Sequence, residues 1–173
     1  MSPDILVIDD SAAIRHRLIK LLEPLNATFE EAENGRQAWD MVTTRNFDVI
    51  LTDIDMPEMD GIELCRRLRK NEETRTIPIV VVSSLDSEED IEKGFEVGAT
   101  YYIPKSDVYT DLLNVIQEVL SRTTRNSNQL ILVVDDSPTI RKIVHDGLKR
   151  AGFKIITAEN GREALQKLQE HTP

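Results

Sequence analysis

Phe47-Asp48-Val49-Ile50-Leu51-Thr52-Asp53-Ile54-Asp55-Met56-Pro57-Glu58-Met59-Asp60-Gly61 passes from apolar to acidic within fifteen residues. Val49, Ile50 and Leu51 form a short β-branched apolar run, the signature of a strand buried on both faces. The run stops at Thr52-Asp53, and the Met-Pro-Glu-Met-Asp-Gly segment leads through a loop into a helix. Pro57 cannot donate a ladder hydrogen bond, and Asp60 is placed to cap the helix that follows. Asp53 therefore falls at the carboxyl end of a central strand. In open α/β sheets, ligands bind at that edge.

On the amino-terminal side, Ile5-Leu6-Val7-Ile8 reads as a second buried strand ending in Asp9-Asp10-Ser11. Ser11 is expected to cap a helix over 12–23, with Ile14, Leu18, Leu21, Leu22 and Leu25 on one face and Pro24 ending it. A strand is expected over 27–31. Asn34-Gly35 then opens a helix over about 35–45, with Ala38, Trp39 and Val42 inward. On the carboxyl side, Ile62, Leu64, Cys65 and Leu68 mark a third helix. A strand over 78–82 ends in Ser83-Ser84, and a helix covers 87–97. Glu88-Glu89-Asp90 suits a helix start favoured by the macrodipole, and also a partner-facing surface. A last strand over 100–103 precedes Pro104-Lys105-Ser106 and an amphipathic helix over 108–122. Five βα units in about 120 residues specify a parallel sheet with helices on both faces and right-handed crossovers.

The polar, aperiodic stretch 123–129 reads as a linker, so the expected domains are 1–122 and 130–173. Ile131-Leu132-Val133-Val134-Asp135-Asp136-Ser137 repeats residues 5–11, and Ala158-Glu159-Asn160-Gly161-Arg162 repeats residues 32–36, both at an offset of 126. This is a repeat at domain length. The second copy has an acidic pair but no counterpart of Asp53, Ser83 or Lys105. Two expectations follow for it. The 130–134 strand pairs with its equivalent in a homodimer across a two-fold axis, or the chain is part of a longer tandem regulator.

The net charge of −10 over 173 residues argues against direct nucleic-acid binding and suits basic protein partners. The longest apolar run is far shorter than the ~18–20 residues that span a bilayer. Cys65 is the only cysteine, which excludes an intrachain disulfide. A cytoplasmic location is expected. His16, His145 and His171 share no spacing with other metal-ligating residues and read as surface side chains.

The strand ends bring together Asp9, Asp10, Asp53, Ser83 and Lys105. Crowded carboxylates call for a hard divalent cation, and Mg²⁺ takes about six oxygen ligands while keeping several waters. A carboxylate can attack phosphorus to give an acyl phosphate. That transfer needs positioning and charge neutralisation, which Lys105 and the Ser83 hydroxyl can supply.

This set resembles the receiver domain of two-component response regulators over residues 4–122. The resemblance implies a flavodoxin-like, doubly wound α/β fold of strand order 2-1-3-4-5, followed here by a partial βαβα copy. It implies Mg²⁺ held by Asp9, Asp10, Asp53 and the Asp55 main-chain carbonyl. It implies that Asp53 is the phospho-acceptor, Ser83 the hydroxyl after the fourth strand, Tyr102 an aromatic rotamer switch and Lys105 the lysine beyond it. Tyr102 also fits an aromatic that simply covers the sheet edge. By the same resemblance, Asp55 and Leu85 tune the lifetime of the phosphoryl group. A histidine kinase or histidine phosphotransfer protein is the implied donor, and an output domain or protein would dock on the 87–122 face. Such a protein catalyses only its own phosphorylation and dephosphorylation and is no enzyme in the ordinary sense. One departure stands out, because the family has proline after the lysine and this chain has Ser106. A cis Lys105–Ser106 bond would cost ~2.5–4 kcal/mol, against ~0.5–1 for an X–Pro bond.

Two other readings compete. Asp53-Ile54-Asp55 resembles the D-x-D nucleophile of haloacid-dehalogenase-type phosphatases, but follows the third strand rather than the first and has Pro57 where Thr or Val is usual. A docking module indifferent to phosphorylation would not need the full acidic set.

Overall fold

The computed structural model describes residues 2–150 and 152–170, with the backbone alone over 123–128 and at Arg150. Two compact units divide between Leu120 and Ser121. The first contains β1 (Asp4–Ile8), α1 (Ala12–Leu22), β2 (Thr28–Ala32), α2 (Gly35–Val42), β3 (Val49–Thr52), α3 (Gly61–Lys70), β4 (Ile79–Ser83), α4 (Glu88–Glu96), β5 (Tyr101–Pro104) and the start of α5 (Val108–Asn128). Its five strands are all parallel, in the order β2-β1-β3-β4-β5.

The period-two alternation of strand side chains divides the core into two layers. From β1, Leu6 and Ile8 join Ile50 of β3 and Ile79 and Val81 of β4 against Ala38, Val42, Leu64, Cys65 and Leu68 of α2 and α3. Ile5, Val7, Val49, Leu51, Val80 and Val82 pack on the opposite face against Leu18 and Leu22 of α1 and Leu112, Ile116 and Val119 of α5. Central strands covered on both faces need apolar residues at successive positions, which explains the unbroken runs. A chain so buried can carry polar groups only at strand ends. That is where Asp9, Asp53 and Ser83 lie.

Several local expectations needed correction. Ser11 occupies the N-cap of α1, but its side chain makes no capping bond; its N–H donates instead to Asp9 Oδ1 at 2.9 Å. Asp60 and Asn34 do cap, accepting from the N–H groups of Glu63 and Gln37. The first helix gives way at Glu23–Leu25 to a 3₁₀ turn that ends on Asn26 at φ 49°. The helix expected over 35–45 ends at Val42, and Trp39 is only half-buried. The stretch 123–129, expected to be aperiodic, is helical as far as Asn128, where α5 ends. It contains no Pro or Gly, and extending an existing helix avoids the nucleation cost that limits isolated ones.

The second unit contains β6 (Leu130–Val134), α6 (Pro138–Arg150), β7 (Lys154–Ala158) and α7 (Gly161–Glu170), with β6 and β7 parallel. Their register, Leu130 beside Lys154 through Val134 beside Ala158, is that of β1 on β2 moved by the repeat offset. His16 is exposed and His145 half-buried beside Asp146; His171, like the rest of 171–173, lies outside the described residues. Among the described residues, no helix is long and apolar enough to cross a membrane.

Leu64 of α3 is fully buried in the layer beneath the Asp53 loop. Leu64→Ala should therefore cost about 2–5 kcal/mol through lost transfer energy and a residual cavity. Urea denaturation should show a lower midpoint with an unchanged m-value.

Candidate functional site

Parallel register places Asp9 and Asp53 as neighbours just past the ends of β1 and β3. The Asp53 N–H donates to the Ile8 carbonyl at 2.9 Å, continuing the ladder one residue beyond the strand. Asp9 is 1% exposed and Asp53 5%, so two like charges share a poorly solvated corner. Lys105 reaches in from beyond β5 and bridges them, its Nζ 2.9 Å from Asp9 Oδ2 and 2.5 Å from Asp53 Oδ2. The other oxygens are held by main chain: Ser11 N–H donates to Asp9 Oδ1, and Ile54 N–H donates to Asp53 Oδ1 at 2.6 Å.

Burial raises the Asp9 carboxyl above its ordinary range, more strongly than the Lys105 contact and the Ser11 N–H lower it. For Lys105, burial acts to lower the ammonium, but Asp53 and Asp9 together hold it above its usual value. Cys65 is pushed up to about 11 by burial and stays a thiol in the core.

The loop after Asp53 is tightly constrained. Gly61 N–H donates to the Ile54 carbonyl, and a Cβ at Gly61 would lie 2.1 Å from the Asp53 carbonyl oxygen, so only glycine fits. Glu58 adopts φ 63° at the centre of a three-residue turn closed by Met59 N–H on the Pro57 carbonyl. The Met59 carbonyl accepts from Gly35 N–H, which ties the loop to the start of α2.

Ser83 is fully buried, and its Oγ accepts from the Leu85 N–H at 3.3 Å. Tyr102, opposite Val81 in β5, donates its hydroxyl to the Leu85 carbonyl at 2.6 Å. Burial raises the Tyr102 phenol, and the neighbouring Ser83 hydroxyl opposes this. Lys105 N–H donates to the Ser83 carbonyl, and the Lys105–Ser106 peptide bond is trans.

Thus Asp9, Asp53 and Lys105 form one contact set, while Ser83, Leu85 and Tyr102 form a second at the end of β4. Asp10 and Asp55 are exposed. Among the described residues, no three His, Cys, Asp or Glu side chains stand close enough to hold an ion. The Lys105 ammonium lies between the two buried carboxylates. The donor chemistry nevertheless fits a hard divalent ion, since every candidate ligand is oxygen and two already face a cation.

Arg15 was missed by reading the sequence for acidic strand ends. It is 7% exposed, donates from Nη1 to the Asp9 carbonyl at 2.8 Å and pairs through Nε with Glu31. The internal repeat held the signal, because Arg141 stands at the matching position and donates to the Asp135 carbonyl.

The geometry agrees with comparison to known proteins. A family model for the response regulator receiver domain matches residues 5–117. The chain belongs to the response regulator receiver family. It is 35% identical over 146 residues to the phosphate regulon regulator PhoB of Pseudomonas aeruginosa, covering 83% of this chain and 64% of that protein. It is 37% identical over 123 residues to ResD of Bacillus subtilis, covering 71% and 50%. The chain thus spans less than two-thirds of the length of these curated relatives. Among solved structures, the chemotaxis response regulator CheY4 of Vibrio cholerae matches with a TM-score of 0.64 and 32% identity, over 69% of this chain and all of that one. The receiver domain of a histidine kinase from Syntrophus aciditrophicus gives a TM-score of 0.65 at 32% identity, over 69% and 91%. The 2-1-3-4-5 order is therefore shared with receivers whose structures are known.

The receiver's lysine gives a sign-specific expectation. Its folded-state value lies above the 10.5 of a free lysine, so its contribution to stability is intact below about pH 10.5 and lost as pH rises through the folded value. Denaturation midpoints followed from pH 9 to 11.5 should fall more steeply for the native chain than for Lys105→Met. Parallel slopes would remove Lys105 from the acidic corner.

Proposed function

We propose that this receiver is a phosphorylation-dependent switch in which Asp53 accepts a phosphoryl group from a phosphohistidine on a histidine kinase or a histidine phosphotransfer protein. The observation that carries this reading is the Asp53 carboxylate, buried at the carboxyl end of β3 with one oxygen against Lys105 Nζ. In the transfer, an Asp53 oxygen attacks phosphorus. The new O–P bond forms as the P–N bond breaks, and the departing imidazole keeps the electron pair and takes a proton from solvent. Lys105 then follows the charge from carboxylate to phosphoryl oxygens. Asp9, Asp10, Asp53 and the Asp55 main-chain carbonyl would hold Mg²⁺, which when bound neutralises phosphoryl and carboxylate charge together.

The Ser83 hydroxyl, whose Oγ accepts from the Leu85 N–H, would donate toward a phosphoryl oxygen. Drawing Ser83 toward Asp53 changes the β4–α4 loop to which Tyr102 is bonded at Leu85. The face made by α4, β5 and the first part of α5 then repacks for its output partner. A swing from 1:99 to 99:1 would need about 5.5 kcal/mol of differential stabilisation. On this reading the chain turns over no external substrate, and the single buried thiol suits a reducing cytoplasm.

We further propose that the second unit begins a second receiver. Support comes from repeated local bonds: Ser137 N–H to Asp135 Oδ1, Arg141 Nη1 to the Asp135 carbonyl, and Glu163 N–H to Asn160 Oδ1 match Ser11, Arg15 and Gln37 in the first unit. The side of β6 away from β7 corresponds to the side of β1 that pairs with β3. A second copy of the chain pairing there would give a homodimer.

Incubation with labelled acetyl phosphate and Mg²⁺ should give near-stoichiometric, acid-stable and base-labile incorporation, abolished in Asp53→Asn and by chelation. Label retained in full by Asp53→Asn would show that another residue accepts the group. Sustained release of phosphate from an external ester would instead favour the phosphatase reading.

A further inference from the structure

The last turn of α4 carries a glycine that the helix itself does not require. Gly94 is buried and has an ordinary helical φ, so backbone geometry does not call for it. In a helix interior glycine is less favourable than alanine. Its surroundings supply the reason: a Cβ at Gly94 would lie 2.7 Å from Tyr102 Cδ2 and 3.0 Å from Cε2. The ring is fixed from two other directions. Its backbone is paired to β4 at Val81, and its hydroxyl donates to the Leu85 carbonyl. The Gly94 carbonyl in turn accepts from Ala99 N–H, which fastens the end of α4 to the turn before β5. Neither the ring nor the helix can move aside without breaking one of these bonds.

We propose that Gly94 is the positioning residue for Tyr102: a notch in α4, one methyl deep, that admits the ring to its inward seat. The proposal rests on Tyr102 acting as the switch, and it adds the element that decides whether the ring can be inward at all. With any side chain at 94, either α4 rises from the sheet or the ring swings toward solvent and releases Leu85. One extra methyl in a packed contact of this kind biases an equilibrium by a factor of about ten or more. Gly94→Ala therefore favours the outward ring while leaving Asp9, Asp53 and Lys105 untouched.

The test uses the full chain labelled with fluorotyrosine. Its three tyrosines, Tyr101, Tyr102 and Tyr109, are assigned by single Tyr→Phe substitutions. In Gly94→Ala, the Tyr102 ¹⁹F resonance should move toward the solvent-exposed shift, with the inward-to-outward ratio falling roughly tenfold, while Tyr109 stays. A second measurement covers any loss of folding: Gly94→Ala should raise the melting temperature by a few degrees in a Tyr102→Ala background, where helix propensity acts unopposed, and fail to do so with Tyr102 present. An unmoved Tyr102 resonance, or the same melting shift in both backgrounds, overturns the proposal. Beryllofluoride with Mg²⁺ separates it from the wider reading. If native Tyr102 ignores the phosphoryl mimic but still moves in Gly94→Ala, the notch stands and the switch reading fails.

Discussion

Two carboxylates buried side by side at the ends of β1 and β3 are the constraint on which this receiver is organised. Parallel pairing forces Asp9 and Asp53 together, and burial removes the water that would otherwise screen them. A cation must therefore be present at the corner. Here the ammonium of Lys105 meets that need, which fixes where the β5–α5 connection must run. Part of the protein's electrostatic balance thus depends on one long side chain arriving from the far end of the sheet.

The corner is held by backbone more than by side chains. Main-chain N–H groups of Ser11 and Ile54 orient the carboxylates, and Arg15 secures the Asp9 carbonyl from behind. Gly61 lets the start of α3 press against the Asp53 carbonyl, and the left-handed Glu58 lets the loop turn back to the Gly35 amide. A strained residue beside a buried carboxylate is tolerated where its surroundings over-determine it. On the opposite side, Ser83, Leu85 and Tyr102 form a short chain of contacts at the end of β4.

Much of this was legible in the sequence because buried parallel strands leave few options. The apolar runs at 5–8, 49–51 and 79–82, each ending in an acid or a serine, gave both the sheet and the positions of Asp9, Asp53 and Ser83. Element ends were less legible. Nothing in the polar composition of 123–129 distinguished an irregular segment from the tail of an existing helix, because continuation of α5 depends on the turns before it. Ser11 looked like a cap from its residue type, yet Asp9 claims its amide. Arg15 was hidden among the charged positions of an amphipathic helix, where most arginines simply face solvent. The sequence put Asp9, Asp53 and Lys105 at neighbouring strand ends but could not reveal that the ammonium would lie against both carboxylates.

The recurrence of one arginine has a kinetic consequence. Arg15 in α1 and Arg141 in α6 each close the same corner over the strand just before them, six residues away. That bond needs no partner from the far half of a receiver sheet. A β-α-β-α segment with such short-range closure has low contact order and can organise early in folding. In the first unit, amide protons around Asp9 and Arg15 should then belong to a cooperative substructure that outlasts the opening of β4, α4 and β5. A receiver built this way can loosen its β4–β5 side without dissolving the acidic end on which it depends.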